Sequence, residues 1–251
     1  MTNQPISTER IISRLDEYLY KNDYTSAERH LLFWLDEAKR VEDGRAELLI
    51  YNELMGLYRK TGRRNEALSF AQNALDTVEK LKVASTVGGA TAYLNAATVY
   101  KAFSMPEKSI LLFERAREIY ERELDGMDSR MAGLYNNMAL TLVDLERFDE
   151  AEDLYKKAIR IMENSESGGP SAAITYLNLA NATETRVGLI DAEEIISDYL
   201  ARARELLENH TNLDGNYAFV CEKCASVFDY YGYFMYAAEL KERARRIYEG
   251  A

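Results

Sequence analysis

Tyr51, Tyr93, Tyr135 and Tyr176 follow one another at steps of 42, 42 and 41 residues, and this period restricts the fold more than any other property of the chain. Asn95, Asn137 and Asn178 keep the same step, and so do Ala74, Ala116, Ala158, Ala203 and Ala244, with one stretch of 45. A fixed period of roughly 20–50 residues marks an array of like supersecondary units, each burying its apolar face against its neighbours. The clearest unit runs from Ala132 to Asn164. Its first half sets Tyr135, Met138, Ala139 and Leu142 at i, i+3, i+4 and i+7, and its second half places Ala151, Leu154, Tyr155, Ala158 and Ile161 on a similar stripe. The unit reads as two amphipathic helices, A and B, joined by a tight turn, with Ala139, Ala151 and Ala158 leaving room for close packing.

Six such pairs fill the chain, at approximately 8–41, 45–81, 86–124, 129–164, 171–209 and 213–249, and are read as one elongated all-α domain. Ser7 or Thr8 caps the first helix, Asn22-Asp23 turns the chain, and Gly62 supplies a left-handed stop. Pro106 fits a first helical turn, as does Pro170 after the linker from Ser165. About three extra residues fall between Gly188 and Ala203. The Gly88-Gly89 pair lacks the strand and Gly-Lys-Ser of a phosphate loop and is read as linker.

The runs Tyr51…Tyr58…Gly62…Ala67…Ala74, Tyr93…Ala97…Tyr100…Phe113…Ala116 and Tyr135…Ala139…Ala151…Tyr155…Ala158 resemble the tetratricopeptide repeat (TPR). The match is good in the three central units, partial in the units ending at Ala203 and Ala244, and loose in the first. The usual repeat is about 34 residues. A step near 42 is similar to the kinesin light chain class and to bacterial peptide-sensing receptors with longer helices. The resemblance implies an α–α superhelix, a TPR solenoid of about six helix-turn-helix repeats, that binds a peptide or protein segment in a concave groove without catalysis. Chaperone-binding members of the family use a carboxylate clamp of Lys, Asn and Arg. The matching positions here read Ile12, Asp16, Glu53, Thr91 and Asn95, so no clamp is expected.

Charge and composition narrow the function further. A net charge of −11 disfavours nucleic acid, because binding phosphate backbones needs clustered Lys and Arg. No run approaches the roughly 18 apolar residues that span a bilayer, and no signal peptide is read at the amino terminus, so a cytoplasmic protein with no membrane partner is expected. Three prolines and 13 glycines argue against disorder. Cys221 and Cys224 are read as a small buried pair, since a zinc site needs four ligands. The two histidines, His30 and His210, lie far apart in the sequence. No enzyme, cofactor or metal site is expected.

Candidate binding residues follow from the register. Asn95 sits two positions after Tyr93, about 200° around the helix, so it points away from the apolar face, and Asn137 and Asn178 repeat the placement. Asn costs roughly 0.5 kcal/mol against Ala inside an exposed helix, so three at one register either descend from duplication or serve a ligand. In the resembling families this face lines the groove, where an amide both donates to and accepts from a peptide backbone. Thr91, Thr98, Asn181, Lys101, Arg59 and Lys60 share the face; the charges are also compatible with ordinary solvated surface.

The last unit packs six aromatics, Phe228, Tyr230, Tyr231, Tyr233, Phe234 and Tyr236, into nine residues. They either fill the final core or, through Tyr233, Phe234 and Tyr236, form a self-association surface for a homodimer. Lys241, Arg243, Arg245 and Arg246, interleaved with Glu, read as a solvated cap. Two further functions stay open: a self-associating assembly protein, and the sensory module of a peptide-responsive regulator with no output domain ahead of Thr8.

Overall fold

The structure, a computed structural model, describes residues 6–250, and these residues form twelve α-helices and no strands. In chain order they are α1 (Thr8–Tyr20), α2 (Tyr24–Arg40), α3 (Gly44–Lys60), α4 (Arg64–Lys80), α5 (Val87–Ala102), α6 (Pro106–Glu123), α7 (Ser129–Asp144), α8 (Phe148–Glu163), α9 (Gly169–Val187), α10 (Glu193–Glu208), α11 (Gly215–Tyr230) and α12 (Phe234–Glu249). Odd-numbered helices are the A helices and even-numbered ones the B helices. The chain divides into two compact units, Met1–Leu124 and Asp125–Ala251, of three pairs each.

Within each unit every A helix packs on its own B helix. The B helices also pack on the following A helix, α2 on α3, α4 on α5 and α8 on α9, and the A helices α3 and α5, like α9 and α11, lie against each other. Alanines make this approach possible. Ala67, Ala71 and Ala74 on α4, Ala139 on α7, and Ala151 and Ala158 on α8 are fully buried. Large side chains fill the spaces between: Tyr93, Phe113 and Tyr120 in the first unit, Tyr155, Tyr217 and Phe228 in the second.

All six A–B turns place one residue at positive φ: Asn22, Gly62, Ser104, Glu146, Gly188 and Gly232. In five of them the next N–H reaches back five residues, as from Arg63 to the Tyr58 carbonyl at 2.9 Å and from Arg147 to the Leu142 carbonyl at 2.8 Å. That bond closes the helix and releases the chain into the next one. The exception follows Gly188, whose φ of 87° and ψ of 158° lie outside the left-handed helical region. The inserted residues sit there: this turn spans 188–192, five residues where the others have three, and α9 is itself lengthened to 19 residues.

Helix starts follow the local chemistry. Asp23, Asp43, Thr86, Asp128 and Asp214 accept backbone N–H bonds as N-caps, and Pro106 and Pro170 occupy the first turns of α6 and α9. A Cβ at Gly89 would lie 2.2 Å from the Val83 carbonyl oxygen, so the second glycine of the Gly-Gly pair lets α5 start hard against the turn before it. Among the described residues no helix is long and apolar enough to cross a membrane.

Candidate functional site

The asparagines on the A helices are tied in pairs across neighbouring repeats. Asn95 on α5 donates through Nδ2 to Asn52 Oδ1 on α3 at 3.0 Å, while Asn52 Nδ2 donates to the Leu48 carbonyl at 2.8 Å. The second unit repeats the arrangement, with Asn178 on α9 donating to Asn136 Oδ1 on α7 at 3.0 Å. Asn52 and Asn136 each sit one position after the repeat tyrosine, and Asn95 and Asn178 two after it. All four are half-buried, and each amide keeps hydrogen-bonding capacity that its partner does not use. Asn137, also half-buried, makes no side-chain hydrogen bond among the described residues.

At the position matching Asn95, α3 carries Glu53, half-buried and without a hydrogen bond or ion pair among the described residues. Burial and the Asp16 carboxylate on α1 push its carboxyl pKa up. This part of the first unit's A-helix face is therefore acidic, with a carboxylate that a cation would relieve.

The remaining sequence candidates divide by surroundings. Thr91 bonds the Val87 carbonyl and shares a 2.7 Å hydrogen bond with the Tyr120 hydroxyl on α6, so it faces its own B helix. Thr98 donates to the Leu94 carbonyl at 2.9 Å. Lys60 lies 5.2 Å from the centre of the Tyr24 ring on α2, Arg59 is exposed, and Lys101 is half-buried. In the second unit Asn181 is exposed and its Oδ1 lies 3.0 Å from the Tyr231 hydroxyl, which donates to Glu184 at 2.8 Å.

A second recurring group surrounds the repeat tyrosines. The Tyr93 hydroxyl donates to Glu79 at the end of α4, and Arg115 of α6 lies 4.6 Å from its ring centre. Tyr176 likewise donates to Glu163, which Arg202 of α10 also bonds at 3.0 Å. Each tyrosine thus joins an A helix to the B helices on both sides.

A family model described as tetratricopeptide repeat matches residues 45–122 and 130–205, more than half of the chain. The chain belongs to the tetratricopeptide repeat family. An Arabidopsis thaliana protein, KINESIN LIGHT CHAIN-RELATED 2, is 27% identical over 122 residues, 47% of this chain and 18% of the relative, so the TPR chain spans less than a fifth of that relative's length. Among solved structures, NprR in complex with its cognate peptide NprX is similar at a TM-score of 0.61 and 16% identity, covering 96% of this chain and 68% of that one. BtubC from P. vanneervenii is similar at a TM-score of 0.58 and 20% identity, covering 92% and 91%. At these identities the structures establish the all-α TPR superhelical fold class.

In the last TPR pair the aromatics separate into two groups. Phe228 and Tyr236 are buried edge to face at 4.8 Å, and Tyr236 donates to Glu208 at 2.8 Å, so Tyr236 belongs to the core. Tyr230, Tyr233 and Phe234 are exposed. Cys221 and Cys224 lie in the same core, and burial raises both thiol pKa values.

Proposed function

We propose that this TPR protein is a non-catalytic binding scaffold whose A-helix faces hold an extended peptide or protein segment. The observation that carries the reading is the repeated Asn register. Half-buried amides at Asn95, Asn137 and Asn178, with Asn52 and Asn136 beside them, present donors and acceptors that helix packing leaves partly unused. An extended backbone offers matching groups at regular spacing. Support also comes from NprR, which is similar in fold and binds a cognate peptide.

The charges on the face define the ligand further. Glu53 with Asp16 favours a cationic side chain, and Arg59 and Lys101 favour an acidic one, so the segment is of mixed charge. Co-purification from the native cell identifies the partner, and titration with its synthetic segment tests the site. Glu53→Gln should weaken a segment that places Lys or Arg there and leave one without a cation unchanged. Equal affinity for every such segment would remove Glu53 from the site.

A further inference from the structure

The second unit ends its last two A–B turns in an apolar surface that the helix-A reading does not use. The inserted turn after α9 projects Leu189 and Ile190, and the turn into α12 projects Tyr233, Phe234 and Met235, with Tyr230 beside them. Ile190 is 88% exposed and Met235 87% exposed. A cleft of about 650 Å³ runs between the two turns, lined by Leu189, Ile190, Ile196, Leu200 and the three tyrosines 230, 231 and 233, with Glu193 as its single charged residue. The cleft adjoins the projecting side chains through Tyr233, which lines both it and the neighbouring hollow beside Arg204, where Phe234 and Met235 stand. The Glu184 carboxylate beside the tyrosines is already engaged, accepting from both Tyr230 and Tyr231.

We propose that this surface seats a second copy of the chain in a two-fold homodimer. The size argues for it. With about 200 Å² for a fully exposed large apolar side chain, these six residues expose on the order of 800 Å². That is at least the scale of the roughly 300–600 Å² apolar patch that is the largest on a typical monomer, and it is comparable with the about 800 Å² per partner of a standard interface. The shape argues for a second copy in particular. Projecting apolar side chains and an apolar cleft lie side by side on one surface, so a two-fold rotation sets Ile190 and Met235 of each copy against the cleft of the other. Tyr236 takes no part, being core, and the inserted Leu189 and Ile190 take its place.

Each copy carries a net charge of −11, so the apolar contact forms against mutual repulsion. Salt screens that repulsion, and association should tighten as ionic strength rises, opposite to a contact held by ion pairs. The test is sedimentation equilibrium of the full chain across concentrations up to about 100 µM at low and high salt, with dissociation constants compared as ratios. The wild type should be dimeric, with tighter association at high salt. Ile190→Lys with Met235→Lys should weaken association at least tenfold while the circular dichroism melt stays unchanged, because both side chains stand in solvent. Phe234→Lys provides a second variant should the pair perturb folding. A wild type that remains monomeric, a variant that dimerises as well as wild type, or open-ended growth beyond two copies would overturn the proposal. So would a monomeric wild type whose patch variants lose the partner segment, since the surface would then belong to the ligand.

Discussion

The φ of one residue decides how each A helix hands over to its B helix. Gly62 and Gly232 meet the demand without a Cβ, whereas Ser104 and Glu146 hold φ of 59° and 58° against the usual cost of a side chain there. Glu146→Gly should therefore raise stability by about 0.5–1 kcal/mol, read as a higher denaturation midpoint. Gly188→Ala should destabilise more than Gly62→Ala, because φ 87° with ψ 158° is a region essentially reserved for glycine. Equal effects would count against the distinct geometry of the inserted turn. Gly62 was legible in the sequence as a stop. Ser104 and Glu146 were not, because neither residue type announces a left-handed backbone and only the period aligns them with Gly62. A second residue-scale prediction concerns acid. Asp128 caps α7 and accepts from the guanidinium and then the backbone N–H of Arg130, which hold its carboxyl at about 2, below its ordinary 3.8. A lowered folded-state pKa contributes stability that is present above the unfolded value and lost as pH falls between the two. Asp128→Asn should flatten the decline in stability from about pH 4 to pH 2, read by thermal melts across that range.

At the scale of the element, the Asn pairs and the small residues set how helices meet. The register alone predicts that Asn95→Ala would be neutral or favourable, since Ala is the better helix former. The bond from Asn95 to Asn52 reverses the sign, and the substitution should cost roughly 0.5–1.5 kcal/mol, with Asn178→Ala alike through Asn136. Chemical denaturation of each single variant checks this, and a double variant Asn52→Ala with Asn95→Ala should cost less than the sum of the two singles. The period pointed to Asn95 and Asn178 because they recur in alignment with the tyrosines. It concealed Asn52 and Asn136, which are offset by one position and appear only in alternate repeats, so a pairing between neighbouring helices reads as no pattern along one of them. Side chains such as Thr91 show the same limit, because position on a helix wheel fixes a direction but not which neighbour a hydroxyl finds. The alanine stripe was fully legible. Ala139 is buried against α8, and Ala139→Trp should cost about 1–3 kcal/mol or more by overpacking.

For the whole molecule, period, helix pairing and family were all readable from the repeat, because an array built from one unit states its rule several times. The division into Met1–Leu124 and Asp125–Ala251 was not, since the step runs through the boundary without change. Each unit carries its own buried tyrosines and alanines, so residues 1–124 expressed alone should give a helical spectrum and a cooperative melt. The exposed turns were half legible: the aromatic cluster was visible, but only the fold brings the inserted Leu189 and Ile190 beside it. The central claim, that the A-helix faces bind an extended segment through their amides, is tested most directly by calorimetric titration. The co-purified partner's segment is titrated into wild type and into the variant with Asn95, Asn137 and Asn178 all changed to Ala, at a temperature where thermal melts show both folded. Each amide contributes a net of roughly 0.5–1.5 kcal/mol to a bound backbone, so the triple variant should lose a few kcal/mol of affinity. Equal affinity in the two folded proteins would contradict the claim.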